Sequence, residues 1–249
     1  MHAMQWGRGR IRYLVAAVLV CGTGLIGPAA AETLRFACNP FPPHKIADAA
    51  SGHEGFDIDI LRAVLGDDTV EISFYPWRRA LALGEAGEVD GLCSCSHLPE
   101  REQAFVFSTE IGNASVGLFA LANEQPVPGD GRALQGRTVG AVAGYNLTSE
   151  LLEFGAIPAE APDDAGAVAM LKAGRFAFLY GYRDTVRWFA GQSQDLRYVE
   201  LRPNPYYTCF SRRAGDAEAR AARFDAAFRR LDQDGTISSI RGRYGAGGS

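Results

Sequence analysis

Thr33-Leu34-Arg35-Phe36-Ala37-Cys38 alternates so that Leu34, Phe36 and Cys38 share one face of an extended strand. Further on, Phe56-Asp57-Ile58-Asp59-Ile60-Leu61-Arg62-Ala63-Val64-Leu65 changes period, with Ile58, Leu61 and Leu65 at the three- and four-residue spacing of a helix. Val70, Ile72 and Phe74 alternate again, residues 80–83 read as helix, and residues 89–93 as a short strand. Strand, helix, strand, helix, strand is the order that builds a mainly parallel sheet covered by helices, so an α/β fold is expected.

Outward from this unit, a Pro/Gly-rich stretch at residues 124–131 separates a second cycle. That cycle comprises a strand at Thr138–Val142, a helix from about Thr148, a helix over residues 165–172 and a strand at residues 176–180. Two further strands are expected at residues 197–201 and 206–211, on either side of Pro203 and Pro205. Phe224, Ala227, Phe228 and Leu231 then mark an amphipathic helix. Two α/β cycles with returning strands suggest two lobes.

The composition is that of a globular protein: 249 residues, 47% hydrophobic and 22% charged, which excludes disorder and multispanning membrane architecture. The 25 basic residues are 23 Arg and only two Lys, Lys45 and Lys172, and the net charge of −4 argues against a nucleic-acid surface. At the N-terminus, Arg8, Arg10 and Arg12 precede an apolar run over residues 13–26, and Ala29 and Ala31 stand at the −3 and −1 positions of a cut after Ala31. This is the layout of a secretory signal peptide, residues 1–31, and it implies export to the periplasm. The run is short for a membrane span and broken by Gly22 and Gly24, and Val20 ahead of Cys21 does not suit a lipoprotein cut. Removing residues 1–31 takes away three Arg, leaving 218 residues with a net charge of −7.

Export leaves Cys38, Cys93, Cys95 and Cys209 in an oxidising compartment, where two disulfides with three possible connectivities are expected. Direct Cys93–Cys95 pairing is disfavoured, because i and i+2 side chains on a strand sit too far apart. Reduced structural thiols and a soft-metal site at Cys93-Ser94-Cys95-Ser96-His97 stand as alternatives, although that spacing is not a zinc pattern. No metal or other cofactor is expected, and His44, His53 and His97 show neither ligand spacing nor triad logic.

The chain resembles the family 3 extracellular solute-binding proteins, the periplasmic receptors of polar amino acid importers. The resemblance rests on Gly55-Phe56-Asp57-Ile58-Asp59-Ile60, Gly87-Glu88-Val89-Asp90-Gly91, Pro99-Glu100-Arg101 with Phe107-Ser108, and Leu134-Gln135-Gly136-Arg137-Thr138-Val139-Gly140. Leu171-Lys172-Ala173-Gly174-Arg175, Asp234-Gly235-Thr236-Ile237 and Arg243-Tyr244-Gly245 complete an ordered set across residues 32–245. It implies a two-lobed periplasmic binding protein fold with two hinge crossings. Lobe 1 would be 32–114 plus 204–249 and lobe 2 115–203, with the ligand between them. It also places all four cysteines in lobe 1, so at least one disulfide should tie the Cys93/Cys95 segment to Cys38 or Cys209.

In such sheets ligands sit beyond the carboxyl ends of strands, which brings forward the loops at residues 39–43, 75–79 and 94–101. By the resemblance, Phe41 and Trp77 pack on the ligand, and Ser96 and Arg101 hold its carboxylate. Only Arg presents a planar fork for bidentate pairing. Ser94 lies in the same loop, and of Arg78 and Arg79 helical geometry lets one face the cleft, taken as Arg79. Gly144-Tyr145-Asn146 opens a helix whose free N–H groups suit an anion. Amino acid receptors of the family carry an Asp where this chain has Tyr182, with Asp184 two residues on. Without that Asp an α-ammonium would be buried unpaired, so a carboxylate or other polar solute lacking a free α-amino group is expected, with Asn39 and Asn146 supplying neutral hydrogen bonds. The expected role is capture of a small polar solute, as a monomer and without catalysis, and delivery to an inner-membrane ABC permease. A periplasmic sensor or accessory protein is the alternative, and a cyclohexadienyl dehydratase-like enzyme a weaker one.

Overall fold

The computed structural model describes residues 1–2, 32–49, 53–66, 68–123, 126–191 and 195–245. The signal-peptide reading of residues 8–31 and its cut after Ala31 lie outside the described residues. The unit Ala31–Ser249 carries every element below.

β1 (Thr33–Cys38) pairs in parallel with β2 (Thr69–Phe74) on one side and β3 (Gly91–Ser96) on the other. α1 (Phe56–Leu65) and α2 (Trp77–Ala86) form the crossovers. α1 starts at Gly55, whose φ of +102° suits glycine, and a Cβ there would lie 2.2 Å from the His44 carbonyl oxygen. That close approach presses the 41–45 loop against the start of α1. α2 ends at Gly87 in the left-handed conformation.

The second cycle is β5 (Thr138–Val142), α3 (Asn146–Glu153), β6 (Ile157–Ala161), α4 (Asp164–Lys172), β7 (Phe178–Tyr182) and α5 (Arg183–Ala190), with β5 parallel to β6 and β7. Between the cycles run two long antiparallel strands, β4 (Phe105–Leu121) and β8 (Leu196–Ser211). The eight strands form one sheet in the order β2-β1-β3-β8-β4-β7-β5-β6. α6 (Ala217–Gln233) packs on β4 and α1, and α7 (Thr236–Arg243) on α6 and α1.

β4 has no counterpart in the sequence reading, because its alternation is broken by register shifts at 107/110, 110/112 and 116/117. Residues 197–201 and 206–211 are one strand rather than two. The Asn204 N–H points to β4, donating to Asn113 Oδ1 at 2.9 Å. Alternation then turns the nitrogens of Pro203 and Pro205 to the other side, where β3 has ended at Ser96↔Tyr206. The strand at 176–180 is displaced to Phe178–Tyr182, which brings Tyr182 to its carboxyl end.

Two disulfides are formed, Cys38–Cys93 from β1 to β3 and Cys95–Cys209 from β3 to β8. They displace the free-thiol and soft-metal readings. His97 pairs with Glu102 on the surface at 2.8 Å, and among the described residues no group of three or more His, Cys, Asp or Glu is placed to hold a metal ion. Phe36, Phe210 and Phe224 form the aromatic centre of one half, at centroid separations of 6.1 and 5.8 Å.

Candidate functional site

A cavity of about 50 Å3 lies where β4 and β8 pass from the first cycle to the second. Asn39 and Phe41 follow β1 into it, Trp77 opens α2, and Ser94 and Ser96 come from β3. From the other cycle Tyr145 and Asn146 enter at the start of α3 and Tyr182 at the end of β7. Arg101 reaches the cavity from a single 3-10 turn after β3.

Three expected residues lie elsewhere. Arg79 is exposed, its guanidinium 5.3 Å from the centre of the Tyr75 ring. Gly144 contributes its carbonyl, which accepts from Trp77 Nε1 at 2.9 Å. Asp184 is half exposed, pairs with Arg183 at 2.9 Å, and lines a separate groove. Lys45, Asn204 and Tyr206 line the cavity without having been singled out. One signal pointed to Lys45: the chain uses Arg for all but two of its basic residues.

The site is electropositive at its lining. Arg101 is 6% exposed, and among the described residues only its Nη1 is engaged by a protein acceptor, the Ser96 carbonyl at 3.0 Å. Its guanidinium stands 5.3 Å from the Trp77 ring, and burial lowers its pKa. Lys45 is 2% exposed; its Nζ donates to Ser94 Oγ at 2.8 Å and Asn39 Oδ1 at 3.0 Å, over the Phe41 ring. Burial brings its pKa down to about 8, against the opposing pull of Asp57 and Asp164.

Two buried carboxyl groups stand behind the lining. Asp57, in the first turn of α1, accepts from Tyr206 OH at 2.9 Å and Ser94 Oγ at 3.1 Å, with His44 Nδ1 at 3.5 Å. Burial would raise its pKa, but His44, Lys45 and the Tyr206 hydroxyl together hold it below the usual range. Asp164, opening α4, accepts from Tyr145 OH at 2.8 Å. Burial pushes its pKa up to about 7 despite that hydrogen bond, with Asp163 adding to the rise and Lys45 opposing it.

Hydrogen bonds cross between the two cycles around the cavity. Asn39 Nδ2 donates to Tyr145 OH at 2.9 Å, so a continuous chain runs Asp57–Ser94–Lys45–Asn39–Tyr145–Asp164. Tyr182 OH donates to Asn146 Oδ1 at 2.9 Å and lies 3.4 Å from Ser96 Oγ. Asn204, on a crossing strand, links Ser96 Oγ at 3.0 Å with Asn146 at 3.3 Å. At the rim, Arg78 pairs with Glu160 at 3.2 Å.

Two α/β units joined by two crossing strands around a polar cavity define the two-lobed fold of solute-binding proteins. The family model for bacterial extracellular solute-binding proteins, family 3, matches residues 34–247, and the chain belongs to that family. Among solved structures, a histidine kinase sensor domain with similarity to periplasmic binding proteins is 21% identical, with a TM-score of 0.77 over 86% of this chain and 96% of its own. The amino acid ABC transporter substrate-binding protein AbpA from Streptococcus pneumoniae, bound to L-arginine, is 22% identical, with a TM-score of 0.72 over 86% of this chain and 95% of its own. An ancestral amino acid-binding protein, a precursor of cyclohexadienyl dehydratase, is 19% identical, with a TM-score of 0.73 over 85% and 95%. These likenesses establish the fold. No curated protein sequence matches the chain.

Proposed function

We propose that this protein captures a small carboxylate-bearing solute lacking an α-ammonium group, in the periplasm, and delivers it to an inner-membrane ABC importer. Arg101 carries the reading: a buried guanidinium, with no carboxylate in ion-pair distance among the described residues, lines a cavity walled by both α/β units. Such a group calls for an anion, and Ser96, Trp77 and Arg101 together suit a planar carboxylate. The lining contains no Asp or Glu to meet an ammonium. Tyr182 stands in the cavity, and Asp184 is turned to Arg183. The lobes of this proposal are 32–114 with 204–249, and 115–203. The change of partner supports the division, since β8 pairs with β3 from Tyr206 on while β4 pairs with β7 from Val116 on.

The mechanism is hinge closure. A ligand touching both lobes favours the closed state by its differential affinity, and the bonds from Trp77 to Gly144 and Asn39 to Tyr145 exist only when the lobes meet. Cleavage after Ala31 belongs to the same proposal. Similarity to a histidine kinase sensor domain favours a second reading, in which the closed form is presented to a membrane receptor. A dehydratase on this fold is the weaker reading, since no Glu stands at the end of β7, where Tyr182 lies. The test is a thermal-shift screen of short carboxylates, hydroxy and oxo acids and the common L-amino acids, followed by calorimetry. Micromolar binding of any L-amino acid would overturn the reading. Neighbouring permease and ATPase genes separate transport from sensing.

A further inference from the structure

Lys45 is the second buried cation of the cavity, and it faces the same unmet requirement as Arg101. Its two hydrogen-bond partners, Asn39 and Ser94, are neutral, and no carboxylate lies within ion-pair distance of Nζ among the described residues. The nearest acid in the hydrogen-bond chain, Asp57, is reached only through Ser94 and is itself turned to Tyr206 and His44. Asp164 is reached only through Asn39 and Tyr145. A buried ammonium served only by neutral acceptors leaves much of its desolvation cost uncompensated, unlike one in contact with a carboxylate.

The two cations are spaced along one strand. Lys45 is held at the Ser94 side chain and Arg101 at the Ser96 carbonyl, two residues apart on β3. Two residues of strand advance at most about 7 Å, and Ser94 lies where the register of β3 shifts, between Leu92 and Cys95. A cavity of about 50 Å3 holds roughly three to five water-sized groups. Between the charged ends the walls are the rings of Phe41, Trp77, Tyr145 and Tyr182, which suit a carbon skeleton better than a compact hydrated oxyanion.

We infer that the ligand is a short dicarboxylate, of about the length of malonate, with one carboxylate on Arg101 and the other on Lys45. This rests on the reading of Arg101 as the carboxylate anchor and goes beyond it by giving the ligand a second negative pole. Lys45 is thereby the residue that sets specificity. Burial brings the pKa of its ammonium down to about 8, because Asp57 and Asp164, neither of them in contact with Nζ, offset only part of the desolvation.

Calorimetry with malonate, propionate and sulfate tests this on the mature wild-type protein and on Lys45→Met, with urea midpoints to establish folding. Malonate is expected to bind wild-type protein at least tenfold more tightly than propionate and than sulfate. Lys45→Met, which replaces the ammonium by an uncharged unbranched chain, should bring the malonate-to-propionate affinity ratio down to about one. Equal affinity for malonate and propionate in the wild type overturns the second pole and leaves monocarboxylate capture standing. Sulfate binding as tightly as malonate overturns the dicarboxylate in favour of an inorganic dianion. Absence of any anion binding overturns both the inference and the reading beneath it. The wild-type comparison decides the matter even where Lys45→Met does not fold.

Discussion

Replacing Arg101 should separate binding from folding. The structure gives its guanidinium one protein acceptor, the Ser96 carbonyl, and one aromatic neighbour, Trp77 at 5.3 Å. Removal therefore forfeits about 0.5–2 kcal/mol of cation–π attraction and about 1 kcal/mol for the hydrogen bond. Against that stands relief from burying a charge with no carboxylate beside it, which offsets a loss of the same order. The net change in stability on Arg101→Ala should stay within about 1 kcal/mol. Binding is another matter. A carboxylate fully desolvated against this guanidinium loses about 2–5 kcal/mol when the guanidinium is cut away, or about 30- to 4,000-fold in affinity at 1.4 kcal/mol per decade. Arg101→Lys keeps the charge but not the fork, and Lys needs a different approach angle, so it should cost nearly as much as Ala. The assay pairs calorimetry, with the tightest-binding carboxylate of the screen, with urea midpoints for both variants. Unchanged affinity would make Arg101 a bystander of the cavity. A collapsed midpoint would make it a structural residue, and either result refutes the argument.

Asp164 gives a pH test. Its folded pKa is up to about 7 against an ordinary 3.8, so the native state holds a proton that the unfolded state has released between those values. Stability should then be greatest below about pH 4 as far as this group is concerned, and be lost as pH rises through 7, by at most roughly 4 kcal/mol. Asp164→Asn should flatten that part of the profile in urea melts, and an unaltered slope would refute the assignment. Non-reducing peptide maps should show Cys38–Cys93 and Cys95–Cys209. Removing either bridge by paired Cys→Ala changes should lower stability by about 2–4 kcal/mol, whereas four free thiols in the exported protein would contradict the pairing.

Much of the fold is legible because it is written in local periodicity. The changes from period two to helical spacing at Thr33–Cys38, Phe56–Leu65 and Thr138–Val142 name strands and helices whose order demands a parallel sheet. β4 was not legible. Its three register shifts scramble the alternation that reveals a strand, and its place between β7 and β8 depends on pairing with chain 60 to 106 residues away. β8 was divided because Pro203 and Pro205 read as breaks, and only the absence of β3 beside them shows why they are tolerated.

The residues of the site divide along the same line. Asn39, Phe41, Trp77, Ser94, Ser96, Arg101, Tyr145, Asn146 and Tyr182 were offered as candidates by the sequence, through the loops and helix start where an α/β sheet gathers ligand-facing groups and, for Phe41, Trp77, Ser96, Arg101 and Tyr182, through the family resemblance. The sequence also determined the α/β class and offered four cysteines for disulfides, whose pairing, pinning β3 to both neighbours, the structure decided. Tertiary structure alone decided that Lys45 turns inward while Asp184 turns out to Arg183, and that Asn204 and Tyr206 come off a crossing strand to close the cavity. The reason is physical: a side chain's charge and shape are local properties, but its burial and its partners depend on segments far apart in the chain. A cation becomes a binding group only when the folded protein surrounds it and supplies no carboxylate to meet it.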